Sequence, residues 1–165
     1  MKVTLEPFTP ELFAELLPLA QRSWDESTKI KGPTCAFYGE RDFNIEPNVD
    51  QYQKVQDVGA LAIFVLRDEG KAVGYLVSVF YQAWHHRSIL GVTVDCSYVE
   101  PEHRAHFWVL AKAFEKEARR RGAGIIGWPT HVDGPLFEIL KSKGYVGDDL
   151  VMEKRLKPCV LQQPS

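Results

Sequence analysis

The sequence predicts an α/β (α+β) fold, a mixed and largely antiparallel sheet flanked by helices, and three observations carry that reading. Three β-rich runs, Leu61–Leu66, Lys71–Tyr81 and Ser88–Val99, follow one another across short connections, as in an antiparallel meander. A long helical stripe after Pro101 then leads to a short apolar run at Ile125–Trp128, a strand-helix-strand crossover. Finally, 165 residues with 45% hydrophobic and 25% charged content can bury a core without a disulfide or metal staple.

Each element has a local cause. Val3 and Leu5 alternate with Lys2, Thr4 and Glu6, which predicts a short first strand. Thr9 supplies an N-cap oxygen, Pro10 suits the first helical position, and Leu12, Phe13, Leu16, Leu17 and Ala20 follow at helical spacing. Pro18 interrupts that helix and predicts a kink or two short pieces. Residues 25–46 carry no clear pattern, and Pro47 to Val58 read as a helix ended by Gly59. The turn Arg67-Asp68-Glu69-Gly70 separates the first two meander strands. Pro101 opens a helix with Phe107, Leu110, Ala111, Phe114 and Ala118 on one stripe, closed by Arg119-Arg120-Arg121 and Gly122. A helix over Leu136–Lys143 and a last pair of strands from Tyr145 complete the order β-α-α-β-β-β-α-β-α-β-β, a seven-stranded sheet. Residues 1–157 read as one domain and residues 158–165 as a peripheral tail.

Composition excludes several function classes. Twenty Lys and Arg against 22 Asp and Glu give a net charge of −2, so the chain has no overall pull toward nucleic acid or anionic membrane. Cys35, Cys96 and Cys159 are odd in number and show no metal-ligand spacing, which predicts free thiols and no metal centre. The N-terminus lacks the apolar core of a signal peptide, and no run approaches membrane-spanning length, so a cytoplasmic protein is the expectation.

At Tyr98-Val99-Glu100-Pro101-Glu102-His103-Arg104 the chain resembles the GNAT family of N-acetyltransferases. There, a strand with a Val-x-Pro-Glu ending enters an Arg/Gln-x-x-Gly-x-Gly/Ala loop and a long helix. The likeness extends through Leu110, Glu115, Ala118, Gly122 and Ile125-Ile126, resumes at Leu136–Tyr145, and ends at Met152–Leu156. It covers residues 60–157; residues 1–59 agree by element order only.

The physical basis of such a loop is general. Where a strand feeds a helix, unpaired main-chain N–H groups gather at the positive end of the helix dipole, and a diphosphate is held there. The resemblance implies acetyl-CoA or another acyl-CoA as cofactor, with Tyr98 and Val99 along its pantetheine arm. It implies a diphosphate grip by Arg104, Ala105, His106, Phe107, Trp108 and Val109. Phe107 and Val109 stand where the family places Gly and Gly/Ala. Phe107 also belongs to the apolar stripe, so its ring is expected to turn inward and leave the amides free.

Acyl transfer to an amine needs a proton acceptor and often an acid for the leaving thiolate. Asp95 is the carboxylate within the third meander strand and is the candidate base, set against an ordinary surface Asp. The family's thiolate acid, a Tyr in the last helix, maps to Leu140; Tyr145 is a candidate acid set behind its packing role in the Gly-Tyr core signature, while Asp133 maps near the family's loop Asn or a helix N-cap. His85-His86-Arg87 read as exposed loop residues, His103 and His106 as phosphate contacts or first-turn residues, and Cys96 as a buried thiol. Aromatic residues such as Trp24, Tyr81, Trp84, Trp108 and Trp128 suit a core or the wall of an acceptor cleft, which leans toward an apolar or aromatic acceptor.

The expected function is therefore acyl-CoA-dependent N-acyltransfer to an amine acceptor. The alternative is a catalytically degenerate protein of GNAT shape that binds a macromolecular partner without using acetyl-CoA. The family's domains often pair, so a homodimer is compatible with either; a nucleic-acid partner is not expected.

Overall fold

A computed structural model describes residues 1–30, 45–130 and 134–147. Five strands form one sheet in the order β1 (Lys2–Glu6), β2 (Leu61–Asp68), β3 (Lys71–Gln82), β4 (Leu90–Val99), β5 (Ile125–Gly127). The first four pair antiparallel, and β5 runs parallel to β4. The helices are α1 (Pro10–Ile30), α2 (Val49–Asp57), α3 (Phe107–Arg120) and α4 (Pro135–Ser142). The mixed, largely antiparallel sheet is thus as expected, with five strands among the described residues. The expected final pair, including Leu150–Leu156, lies outside them, as do Cys35, Asp133, Cys159 and the tail 158–165.

Strand β2 explains why its sequence is a continuous apolar run. Leu61, Ile63 and Val65 face one core with Leu12, Leu16 and Leu19 of α1; Ala62, Phe64 and Leu66 face the other with Leu110, Phe114 and Ala118 of α3. A strand covered by helices on both faces has no polar side to alternate with. Phe114 is fully buried and meets Phe64 edge-on, with centroids 6.1 Å apart. Among the described residues, no helix is long and apolar enough to cross a membrane.

One helix excludes one of two expected forms, and another departs from the sequence expectation. Helix α1 continues through Pro18 to Ile30 without dividing into two pieces. Pro18 and Ala14 both lie on the exposed face, so the Ala14 carbonyl that loses its intrahelical donor is open to water. The helix expected to open at Pro101 opens instead as a 3-10 helix over Pro101–His106 and becomes α-helical only at Phe107. Glu100 makes no side-chain cap, and i→i−3 bonds, including His103 N–H to the Glu100 carbonyl at 2.8 Å, satisfy groups a capped α-turn would leave bare.

Glycine matters structurally at Gly74. A Cβ there would lie 2.9 Å from the Tyr98 carbonyl oxygen and 2.9 Å from Val99 Cγ2. The missing side chain lets β3 press against the C-terminal end of β4, the stretch that concerns function below.

One side chain ties the first three strands to α1. Arg67 donates to Glu6 of β1 through Nε at 2.7 Å and to Glu15 of α1 through Nη1 at 2.8 Å. It also reaches the Gly70 carbonyl at 2.8 Å, while Glu15 accepts the Ala72 N–H at 3.2 Å. Hydrogen bonds from the Arg67 guanidinium hold both carboxyls below the ordinary carboxylate range, against the opposing pull of partial burial. Carboxyls with depressed native pKa stabilise the fold above the ordinary value of 4.5, and that stability is lost as pH falls through the native values. Arg67→Leu should cost about 1–3 kcal/mol at neutral pH, a figure kept low because the pairs are partly solvated. Urea unfolding of both proteins at neutral and acidic pH checks this: the gap should shrink in acid, and a gap that widens there contradicts the assignment.

Candidate functional site

The site is built on a strand with two neighbours at one end and one at the other. β5 pairs with β4 only at Gly91, Val92 and Thr93 and ends at Gly127. From residue 94 to Val99, no described strand pairs with that side of β4. Glu100 N–H donates to the Val73 carbonyl at 3.0 Å, so alternation turns Tyr98 toward β3 and aims the N–H and C=O of Ser97 and Val99 into the opening. The opening thus presents main-chain donors and acceptors that no described strand pairs along one edge.

A register slip sits at the head of this edge. Ser78 pairs with Val94 and Val77 pairs with Cys96, leaving Asp95 without an opposite residue. Such a bulge re-aims side chains. Val94 packs in the core beneath α3, whereas Asp95 meets Tyr52 of α2 and Cys96 packs in the core beneath α1. Asp95 is exposed to solvent and accepts a 2.6 Å hydrogen bond from the Tyr52 hydroxyl. Tyr52 is placed by the Asn48 cap of α2, whose side chain accepts the Gln51 N–H, and by stacking on Phe8 at 5.8 Å.

The electrostatics keep the neighbours of Asp95 protonated. Burial first, then the Cys96 sulfur and Asp95, push the Tyr52 hydroxyl upward, so it remains a donor. Burial and the Asp95 charge push Cys96 up to about 12. Cys96 is a free thiol, partly buried against the α1-side core rather than fully buried, and its raised pKa argues against a nucleophile.

At the other end of the edge, the expected diphosphate-binding stretch has an unexpected form. Residues 104–106 lie in the 3-10 helix, residues 107–109 start α3, and Phe107 N–H is bonded to the Arg104 carbonyl. The main chain here is wound rather than open, so fewer amides face outward than an open loop would offer. Phe107 turns inward as expected, packing on the α3-side core 5.6 Å from Trp128. Trp108 lies edge-on to Phe107, with the Lys143 ammonium 5.5 Å from its ring; Ala105 and Val109 are exposed. The His106 Nδ1 is buried and has no hydrogen-bond partner among the described residues. Two residues before it, the half-exposed Arg104 guanidinium is paired with Glu26.

The remaining candidates fall in known places. Tyr98 is buried with its hydroxyl donating to Glu26 of α1 at 2.7 Å, and Arg104 pairs with the same carboxylate. Val99 is buried in the α3-side core, so only its backbone is available to the opening. Tyr145 donates to Glu115 at 3.0 Å and stands 6.2 Å from Trp128. Leu140 is core, and His85 and His86 are exposed in a turn. The arginine triplet is neutralised locally, Arg119 by Glu115 and Arg120 and Arg121 by Glu117, whose carboxyl is lowered to about 2 by its bond to Arg120 and then to Arg121. Among the described residues, no cluster of three or more His, Cys, Asp or Glu is arranged to hold a metal. Sequence reading missed Tyr52, Glu26 and the bulge. Val94 and Val99, an odd number of positions apart yet both in the α3-side core, carry the parity break that marks it.

No family model and no curated protein matches the chain. Solved structures do. An aminoglycoside acetyltransferase from an uncultured soil metagenomic sample, in complex with sisomicin, aligns at TM-score 0.69 and 16% identity over 94% of this chain and 95% of its own. A ribosomal-protein-alanine N-acetyltransferase from Brucella melitensis biovar Abortus aligns at TM-score 0.62 and 14% identity, covering 95% and 100%. The acetyltransferase AAC(6')-Iy, bound to a CoA-linked bisubstrate analogue, aligns at TM-score 0.65 and 13% identity, covering 95% and 99%. At such identities the likeness establishes the fold: the chain has the GNAT-like architecture of these acetyltransferases.

The coupling between Asp95 and Cys96 is directly measurable. In a background with Cys35 and Cys159 replaced by Ser, Asp95→Asn should move the Cys96 thiolate midpoint below that of the parent, because a nearby negative charge is removed. Thiolate absorbance across an alkaline titration reads this; an unchanged or raised midpoint contradicts the geometry.

Proposed function

We propose that this chain is an acyl-CoA-dependent N-acyltransferase acting on an amine acceptor. The supporting observation is the conjunction on β4: an exposed carboxylate at a bulge, followed at once by a strand edge that has no partner strand among the described residues. When bound, acyl-CoA supplies a thioester whose acyl group passes to the amine with release of the CoA thiol.

The chain's own residues divide the work. The main-chain groups of Ser97 and Val99 pair with the amides of a pantetheine arm lying where a further strand would lie, with Tyr98 anchoring that edge to α1. Arg104 and His106 are the charged and hydrogen-bonding contacts for the diphosphate, with the backbone of residues 105–109 beside them. Asp95 accepts the proton of the attacking ammonium or amine, and the Tyr52 hydroxyl holds the carboxylate in place. The Tyr145 hydroxyl is held on Glu115, and its contribution is to wall the cleft with Trp128. Fold alone does not select an acceptor, and the neighbours act on chemically different amines.

A second reading has an observation in its favour. The 3-10 winding of Pro101–His106 and the pairing of Arg104 with Glu26 reduce the free donors for a diphosphate. On that reading the chain keeps the architecture and binds a macromolecular partner without acyl-CoA.

Calorimetric titration with acetyl-CoA and CoA separates the two. The enzyme reading expects saturable binding and, with an accepted amine, turnover that Asp95→Asn lowers by about 10²–10⁴ while leaving acetyl-CoA affinity near that of the parent. Absence of both heat and thermal shift at millimolar cofactor would sink the enzyme reading and leave the second.

A further inference from the structure

The contact between α1 and the 3-10 helix has a consequence for ligand binding that rests on the acyl-CoA reading. Glu26, near the C-terminal end of α1, accepts from the Tyr98 hydroxyl at 2.7 Å through Oε1 and pairs with Arg104 through Oε2. Arg104 is the one cationic side chain of the proposed diphosphate grip that is charged at every working pH, and its guanidinium is half exposed. A neighbouring pair, Arg22 to Glu100 at 2.6 Å, is separate and more enclosed, with Glu100 buried. Arg22 is thus occupied, and Arg104 is the cation that Glu26 holds.

We propose that Glu26 is a built-in competitor for the diphosphate of the acyl donor, holding Arg104 until an anionic ligand takes it. A carboxylate and a diphosphate ask the same thing of a guanidinium, a planar pair of N–H donors and a positive charge. The exchange leaves Glu26 with a partner, because the Tyr98 hydroxyl stays on its other oxygen. Release of Arg104 also loosens a link between α1 and the start of the 3-10 helix, so donor binding at β4 is felt at α1. Glu26 acts through Arg104 and is a positioning residue.

The test compares two probes on folded variants. Coenzyme A carries the diphosphate, and acetyl-pantetheine lacks it. Glu26→Gln keeps the shape and an acceptor for Tyr98 but removes the charge; it should tighten CoA roughly two- to fivefold, the range for releasing an exposed ion pair. The same substitution should leave acetyl-pantetheine affinity unchanged, and the CoA gain should vanish when Arg104→Gln is added. Glu26→Ala, with a thermal melt to verify folding, gives the same reading should the Gln variant fold poorly. If the parent binds CoA and Glu26→Gln binds it equally or more weakly, the competition is refuted while the acyltransferase reading survives. Equal tightening of both probes also refutes it, placing the effect in the scaffold. If neither parent nor variant binds CoA, the acyltransferase reading falls and this proposal with it.

Discussion

The structure depends on β4 keeping one neighbour while losing the other. Pairing with β3 is continuous in all but one place along β4, whereas pairing with β5 stops at Thr93. A strand held on one side, with no described strand on the other, presents main-chain groups that are rigidly placed and open to an extended partner strand or ligand. The slip at Asp95 makes this arrangement consistent with packing. It lets Val94 and Val99 both enter the core beneath α3, and lets Tyr98 and Cys96 both enter the core beneath α1. Without it, Val94 would share a face with Cys96 and Tyr98 and lie on the opposite side of the sheet from Val99.

Charge is used at the seams between elements. Arg67 joins β1, the β2–β3 hairpin and α1; Arg22 and Glu100 join α1 to the end of β4; Glu117 holds Arg120 and Arg121, and Arg121 reaches over the Phe80 ring at 4.5 Å to the Gly59 carbonyl. Among the described residues, the run Arg119-Arg120-Arg121 is bound to carboxylates within one helical turn, so it forms no free basic patch. Such contacts orient elements more than they stabilise them, and the stability comes from the two apolar layers on either side of β2 and β3.

Local chemistry in the sequence was enough to read the meander, the helical stripe of α3, the inward turn of Phe107 and the resemblance at residues 98–104. Each rests on periodicity or on near neighbours along the chain. The unpredicted features depend on residues distant in sequence. Tyr52 meets Asp95 across 43 positions, and Glu26 meets Arg104 across 78, pairings that no local pattern encodes. The 3-10 start at Pro101 reflects a missing side-chain cap on Glu100, and the unbroken α1 reflects the solvent exposure of Pro18; each turns on a three-dimensional setting rather than on residue type. Asp95 is legible in the sequence as the carboxylate of the third meander strand, where the resemblance places a base, whereas its bulge and its phenol partner are visible only in the fold.

The measurement closest to the central claim is amide hydrogen exchange along β4, read residue by residue with and without acetyl-CoA. Tyr98 and Glu100, turned toward β3, should exchange slowly throughout; Ser97 and Val99 should exchange fast in the free protein and become protected when the donor binds. Protection of Ser97 and Val99 before any ligand is added, or none at saturating donor, would show that the edge of β4 is not where the acyl donor lies.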